Sequence, residues 1–412
     1  MKNKLKFNTS LLHGNIESEK RTGATLTPIY QSNAFEQESA EKLEKIFLNK
    51  APGFSYTRIN NPTVASFEER ITLLEGGIAT VACASGMAAI FNAIVNVVNS
   101  GDEIIASSGI FGGTIGLFND LENLGIQTKY VNEMTVDELK KNVTEKTKVI
   151  FAETIGNPKL DVIDIEKISQ FTKEKNILFI VDNTVATAYL VKPIELGADV
   201  VINSSSKYIN GSGNSISGVI TDSGKFKWDE DRYPAMKKYK KMGPFAYIAK
   251  LRDALFRNTG ACLSPFNAYL NSLGLETLGL RMERSCSNAY KLAKWFEGND
   301  KIVSVNYPGL ESSPYNNIAK KQFKNGYGAM VTIRVGSKEK AFSIINNLKY
   351  ALRVSNIGDA KTLVIHPHST IYSHSDEEEK ERAGVYDDLI RISVGIEDIE
   401  DLIEDFNQAI NA

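Results

Sequence analysis

Cysteine is scarce. Cys83, Cys262 and Cys286 are the only three in 412 residues, and none belongs to a C-x-x-C pair. So odd and scattered a set excludes a disulfide framework and fits a reducing cytoplasm, with the thiols as buried or half-buried packing groups. An excess of either charge is lacking too: 48 basic residues face 50 acidic ones, for a formal net charge of −2. That balance removes the electrostatic case for binding nucleic acid or a membrane surface. No stretch holds the roughly 18 uninterrupted apolar residues of a membrane span. The opening MKNKLKFNTS is basic but lacks the apolar core of a secretory signal. Neither G-x-G-x-x-G nor G-x-x-x-x-G-K-[ST] occurs, so a dinucleotide or nucleoside triphosphate site is unsupported. Internal repeats and low-complexity tracts are missing as well.

What is there reads as globular: 42% hydrophobic and 24% charged residues, in a length that suits two or three domains. Residues 1–60 carry turn residues (Pro28, Pro52, Gly53) and no sustained periodicity beyond a helix near Ser39–Phe47, so they read as an extended arm. Residues 61–260 form the large domain. There Val64, Phe67, Ile71 and Leu74 recur at helical spacing, and Gly76-Gly77 ends the helix. Short apolar runs follow at Ile78–Cys83, Glu103–Ser107, Gln127–Val131, Val149–Glu153, Leu178–Asp182, Asp199–Ser204 and Ile216–Ile220. Helical patterns separate most of them: Met87–Val98, Thr114–Leu124, Val136–Asn142 and Ile165–Asn176. This alternation predicts an α/β fold, a mostly parallel sheet covered by helices, ending in an antiparallel member because the last links are short. Residues 261–412 read as a smaller C-terminal α/β domain. The charged run Asp376–Arg382 reads as a solvated helix face.

Ligands of such sheets sit beyond the carboxyl ends of the strands. Ser85-Gly86-Met87 falls there, between a strand and a helix whose first-turn amides face an anion, although many plain strand–helix turns look the same. Asp182 ends the apolar run FIVD. A buried carboxylate at that tip needs a cation or several donors, and its plain reading is a hydrogen-bonded turn residue. Lys207 follows ADVVINSSS. Most lysines are surface charges, but burial beside a strand end lowers an amine's pKa and leaves it nucleophilic. Ser204 and Ser206, two apart on an extended segment, point the same way and suit a phosphate. Together these residues supply a phosphate cradle, a carboxylate for a heterocyclic nitrogen and a Schiff-base amine. Those are the three handles that pyridoxal 5'-phosphate requires.

The chain resembles the Cys/Met-metabolism enzymes that use pyridoxal phosphate, which have the aspartate aminotransferase-like fold (fold type I). The resemblance rests on YTRINNPT (Tyr56–Thr63), ASGMAA (Ala84–Ala89), ETIGNP (Glu153–Pro158), VDNT (Val181–Thr184), SSSKYINGSG (Ser204–Gly213), SNIGDAKTLVIHP (Ser355–Pro367) and DLIRISVGIED (Asp388–Asp398). These motifs run in order over nearly the whole chain. The resemblance implies that Lys207 is the Schiff-base lysine and Asp182 the partner of the pyridinium nitrogen. It implies further cofactor contacts from Gly86, Met87, Thr184, Ser204 and Ser206. Asn157, Ser355 and Arg391 match residues that hold the cofactor's ring oxygen and the substrate carboxylate. Tyr56 and Arg58 match residues that reach the phosphate of the neighbouring subunit, so a homodimer would be the minimal active unit and a homotetramer usual. Taken singly, Arg58 and Arg391 read equally well as structural arginines and Asn157-Pro158 as a turn. An arginine inside LIRISVG, however, needs an anion nearby.

Departures from the family pattern narrow the activity. Phe111 stands where most members carry Tyr, so the stacking face is kept and the phenol acid is lost. Carboxyls ionise near about 4 and thiols near about 8.5, so departing acetate needs less proton help than a departing thiol. Gly113 stands where methionine γ-lyases usually have Cys. The stretch Lys225–Ser264 and the following SPFNAYLNSLGLETLGLRMER resemble O-acetylhomoserine sulfhydrylases. The resemblance therefore implies a γ-replacement in methionine biosynthesis: O-acetyl-L-homoserine and sulfide, or a small thiol, give L-homocysteine and acetate. Lys207 would move the protons, with Asp182 and Phe111 as its catalytic partners. The alternatives are a methionine or cystathionine γ-lyase, a cystathionine γ-synthase, and a non-catalytic regulatory member of the fold. Three histidines fall in HPHSTIYSH (His366, His368, His374). No acidic or cysteine ligand motif accompanies them, so no metal is expected, and His368 is expected to face the substrate cleft.

Overall fold

Segments with an unbroken apolar run at their heart, such as LFIVD and EIIAS, are buried along their whole length. Only strands covered on both faces satisfy such a sequence. A computed structural model describes residues 5–14 and 22–412. In it β1 (Ala79–Cys83), β2 (Glu103–Ser107), β3 (Gln127–Val131), β4 (Thr147–Glu153), β5 (Leu178–Asp182), β6 (Val200–Asn203) and β7 (Gly218–Asp222) form one sheet. Their order is β1-β7-β6-β5-β4-β2-β3. The antiparallel strand expected at the end of the sheet is β7, but it does not lie at an edge. It inserts between β1 and β6, pairing antiparallel with both. The edge strand β3, QTKYV, is half exposed, which explains its polar sequence.

Alternate strand residues feed opposite faces. Phe179 and Val181 join one core with Ile71 and Met282, while Leu178 and Ile180 join another with Ile94 and Phe118. The covering helices before β1 are α1 (Phe7–His13), α2 (Ala40–Phe47) and α3 (Pro62–Glu75). Between strands lie α4 (Gly86–Val95), α5 (Gly112–Glu122), α6 (Val136–Asn142), α7 (Ile165–Glu174) and the short α8 (Thr187–Leu190). After β7 come α9 (Ala246–Asp253), α10 (Leu255–Thr259), α11 (Pro265–Glu276) and the twenty-residue α12 (Leu278–Glu297). Gly76 caps α3 in the left-handed conformation, as its place after the apolar stripe predicts.

A second sheet contains β8 (Ser304–Asn306), β9 (Met330–Arg334), β10 (Leu352–Arg353), β11 (Leu363–Ile365) and β12 (Leu389–Ser393), ordered β10-β11-β12-β9-β8. It is accompanied by α13 (Asn316–Gln322), α14 (Lys338–Asn347), α15 (Glu377–Arg382) and α16 (Ile399–Asn411). Val331 and Ile390 of the sheet, Phe296 of α12 and Phe406 of α16 share a third core.

Three expectations need correction. The first residues are not wholly extended, because α1 tucks Leu11 into the core beside α3. The run Asp376–Arg382 is not wholly solvated, because Lys380 is buried and bonds Glu377 at 2.7 Å. Strand β6 stops at Asn203, so Ser204 and Ser206 lie on a turn, with the Lys207 amide bonded to the Ser204 carbonyl. No helix among the described residues is long and apolar enough to cross a membrane.

Candidate active site

The parallel strands all end on one edge of the first sheet, and a cavity of about 810 Å³ opens there. Gly86, Met87, Phe111, Asn157, Asp182, Thr184, Ser204, Ser206, Lys207, Ser355 and Arg391 all line it. Sequence reasoning named every one. Its volume lies in the usual range of small-molecule sites.

Ser85 caps α4 by accepting from the Ala88 amide at 3.0 Å, leaving the Gly86 and Met87 amides without intrahelical acceptors. Gly86 lies tight against Ser204: a Cβ there would sit 2.7 Å from the Ser204 Cβ. The helix N-terminus and the serine turn are thus one surface. Thr184 clamps that turn, its hydroxyl accepting from the Ser204 amide at 2.7 Å and its own amide donating to Asp182 Oδ1 at 2.9 Å. The Ser206 hydroxyl is shared with the Ser217 backbone, donating to the carbonyl at 3.0 Å and accepting from the amide at 2.8 Å.

Asp182 is buried at the tip of β5, and burial raises its pKa to about 6 despite the Thr184 bonds. Glu153 is its register partner on β4 and also lines the cavity. Burial, and then the charge of Asp182, push the Glu153 carboxyl well above its usual range, and it accepts from the Phe111 amide at 2.7 Å. Glu153 escapes the sequence reading although it ends an apolar run just as Asp182 does. Phe111 opens α5, and a Cβ on Gly113 would meet its ring at 2.5 Å. Glycine at 113 is therefore what lets the ring lie where it does.

Lys207 is largely enclosed, and burial lowers its pKa; the positive Arg391 adds to the lowering, against the opposing charge of Asp359. Its Nζ donates to Asn356 Oδ1. Asn356, quoted in a motif but given no role, joins the site here. Arg391 lies on β12 in the second sheet, buried, donating to Asn157 Oδ1 at 3.1 Å and to the Asn356 carbonyl at 2.9 Å. Burial holds its pKa at about 10. Its Nε has no hydrogen-bond partner, nor does the buried Thr114 hydroxyl that lines the same cavity. Among the described residues no carboxylate pairs with Arg391, so this cation awaits an anion.

Tyr56 and Arg58 are not brought to this cavity. The Arg58 guanidinium donates to the Arg257 carbonyl at 2.6 Å and lies 5.5 Å from the Tyr56 ring centre. The expectation for His368 fails: it does not line the cavity, and its Nε2 faces Glu377 at 3.3 Å. His366 is bonded to Ser369 and the Asp387 carbonyl. No three His, Cys, Asp or Glu side chains gather as a metal site among the described residues. Cys83 and Cys286 are buried and Cys262 half-buried, all as free thiols.

An enclosed lysine, a buried carboxylate and free helix-terminal amides on one sheet edge fit pyridoxal phosphate, with the partnerless Arg391 Nε left for an acid group. This is the fold type I class of site. The chain belongs to the family described as Cys/Met metabolism PLP-dependent enzyme, which matches residues 8–411. It is 41% identical to a homocysteine synthase from Schizosaccharomyces pombe, over 98% of both chains. It is 40% identical to an O-acetyl-L-homoserine sulfhydrylase from Corynebacterium glutamicum, over 97% of this chain and 95% of the other. A solved Campylobacter jejuni protein described as an O-acetylhomoserine (thiol)-lyase, with pyridoxyl phosphate joined to a lysine, superposes with a TM-score of 0.95. It is 36% identical, over 99% of this chain and 100% of that one.

Proposed function

We propose that the chain catalyses γ-replacement on O-acetyl-L-homoserine, exchanging acetate for sulfide or a small thiol to give L-homocysteine. The carrying observation is that Lys207, Asp182 and Arg391 line one cavity behind Phe111, a ring with no acidic hydroxyl. Pyridoxal phosphate, when bound, supplies an aldehyde for the amine and a ring that accepts electrons from the substrate's Cα–H bond.

Each residue has a share in this reading. The Gly86 and Met87 amides hold the phosphate with Ser204 and with Ser206, whose hydroxyl proton turns from the Ser217 carbonyl to do so. Asp182 ionises once a ring nitrogen offers it a positive charge, and Asn157 holds the ring oxygen. Phe111 stacks on the ring face. The Arg391 guanidinium, through its spare Nε, and Ser355 fix the substrate carboxylate, which orients the α-hydrogen toward Lys207. Lys207 takes the α-proton and then one from Cβ, and after the exchange at Cγ returns a proton to each of these carbons. At Cγ the C–O bond to acetate breaks and a C–S bond forms. Acetate is a weak enough base to leave without the phenol that Phe111 lacks.

The same proposal makes residues 1–60 an arm, 61–260 the coenzyme domain and 261–412 the smaller domain. Leu26, Ile29, Phe47, Leu48 and Tyr56 are exposed along the arm. That supports a neighbouring copy packed there, Tyr56 and Arg58 reaching its phosphate, in a homodimer or a pair of dimers. The free thiols support a cytoplasmic setting.

Incubating the purified, coenzyme-loaded protein with O-acetyl-L-homoserine tests the reading. Homocysteine is expected only when sulfide is added, and none from the Lys207→Ala variant. Oxobutyrate and ammonia without sulfide would instead assign the chain to γ-elimination.

A further inference from the structure

We propose that Asn356 is the positioning residue of Lys207: its side-chain oxygen aims the free amine and separates it from the Asp359 carboxylate. This rests on the role of Lys207 in the proposed function.

The geometry fixes which end of the amide does this. Asn356 Nδ2 donates to Asp359 Oδ1 at 2.8 Å, so the NH₂ end is occupied and the oxygen is the end turned to Lys207. The Lys207 Nζ donates to that oxygen and to no other acceptor among the described residues. The Asn356 carbonyl meanwhile accepts from the Arg391 guanidinium at 2.9 Å. One residue therefore ties the amine, through its side chain, to the arginine, through its backbone. The distance between the reacting amine and the carboxylate clamp is set by a single residue.

Charge explains why an amide suits this place. A carboxylate in contact with a lysine holds it as an ammonium, which neither attacks an aldehyde nor takes a proton. An amide oxygen accepts the same hydrogen bond with no net charge. The charged groups around Lys207 are Arg391 on β12, Asp359 beyond β10, and Asp182 and Glu153 at the ends of β5 and β4. Of these, Asp359 favours the ammonium and Arg391 opposes it. Asn356 keeps Asp359 one residue away.

The test follows covalent capture of pyridoxal phosphate by coenzyme-free protein, read as growth of visible absorbance from pH 6 to 10. Capture joins the Lys207 nitrogen to the aldehyde carbon with loss of water, so its rate follows the uncharged amine. Asn356→Asp is expected to raise the midpoint of that profile by about one unit, slowing capture near neutrality by roughly tenfold. Asn356→Leu, which keeps the volume but no acceptor, is expected to lower the plateau at high pH without raising the midpoint. An unchanged midpoint in the aspartate variant, or an unchanged plateau in the leucine variant, overturns the proposal. The midpoint alone decides if the leucine variant does not fold. A wild-type protein that captures no coenzyme at Lys207 would instead overturn the proposed function, and this inference with it.

Discussion

Asp182 and Glu153 are two buried carboxyls side by side on neighbouring strands, and ionising both is costly. Their surroundings separate them. Asp182 receives the Thr184 amide and lies open to a cationic ring nitrogen, whereas Glu153, itself pushed up by burial and by the charge of Asp182, spends an oxygen on the Phe111 amide. One carboxyl is thus free to carry charge while the other holds the stacking ring's loop. Close contact matters equally on the phosphate side. At Gly86 an added Cβ would lie 2.7 Å from the Ser204 Cβ and 2.8 Å from its hydroxyl. Gly86→Ala must push the serine turn away, at a cost of about 1–3 kcal/mol if the fold absorbs it. Most of that falls on the coenzyme site, so affinity for pyridoxal phosphate is expected to drop by roughly tenfold or more, at about 1.4 kcal/mol per decade. Titrating coenzyme-free protein by absorbance measures it, and an unchanged affinity would show that Ser204 does not hold the phosphate.

Helix α3 begins at Pro62, and its cap Asn61 is almost fully buried. The Asn61 carbonyl oxygen accepts from the Thr63 and Val64 amides, while its NH₂ donates to the Tyr30 carbonyl at 2.8 Å and the Thr57 hydroxyl at 3.0 Å. One side chain therefore starts a core helix and pins the preceding segment to it. Asn61→Ala loses a cap worth about 1 kcal/mol and leaves further buried groups unpaired, so a loss of about 2–3 kcal/mol is expected in urea unfolding. Asn61→Asp keeps the cap but loses the NH₂ that pins, so it should lose less than the alanine variant but still lose stability; an aspartate variant as stable as the wild type would refute the pinning role. Elements of this kind differ in how far the sequence discloses them. The strands of the first sheet are legible because each is a short apolar run fenced by turn residues. The place of β7 is not, because strand pairing depends on partners far along the chain. Helix α1 is not legible either: seven residues hold a helix only through packing, here that of Leu11. At the site, Asp182 and Lys207 announce themselves by closing apolar runs. Glu153 bears the same mark and is passed over. Asn356 bears none, since its bond to Lys207 spans 149 residues.

Across the molecule, several acids are buried with no ion pair among the described residues. Burial raises Glu75, Asp199 and Asp222 to about 7 and Asp182 to about 6. Each lies above its unfolded value, so between about pH 4 and 7 the folded chain binds more protons than the unfolded one. Stability must then fall as pH rises through that window, and the full cost is present above it. His366, held below its usual value by burial, pulls the other way, but Glu153, pushed well above the usual range by burial, adds to the four. Coenzyme-free protein is therefore expected to melt several degrees lower at pH 8 than at pH 5.5. Pyridoxal phosphate alters one of the four. A protonated ring nitrogen gives Asp182 the cation it lacks, so the coenzyme should raise the melting temperature more at pH 8, where that carboxyl is charged, than at pH 5.5. Asp182→Asn leaves no carboxyl to ionise there, so it should shrink the fall with pH and abolish the pH dependence of the coenzyme's effect. Thermal melts of both proteins, with and without coenzyme at the two pH values, decide it. A coenzyme effect equal at both pH values in the wild-type chain would mean that Asp182 is not its partner.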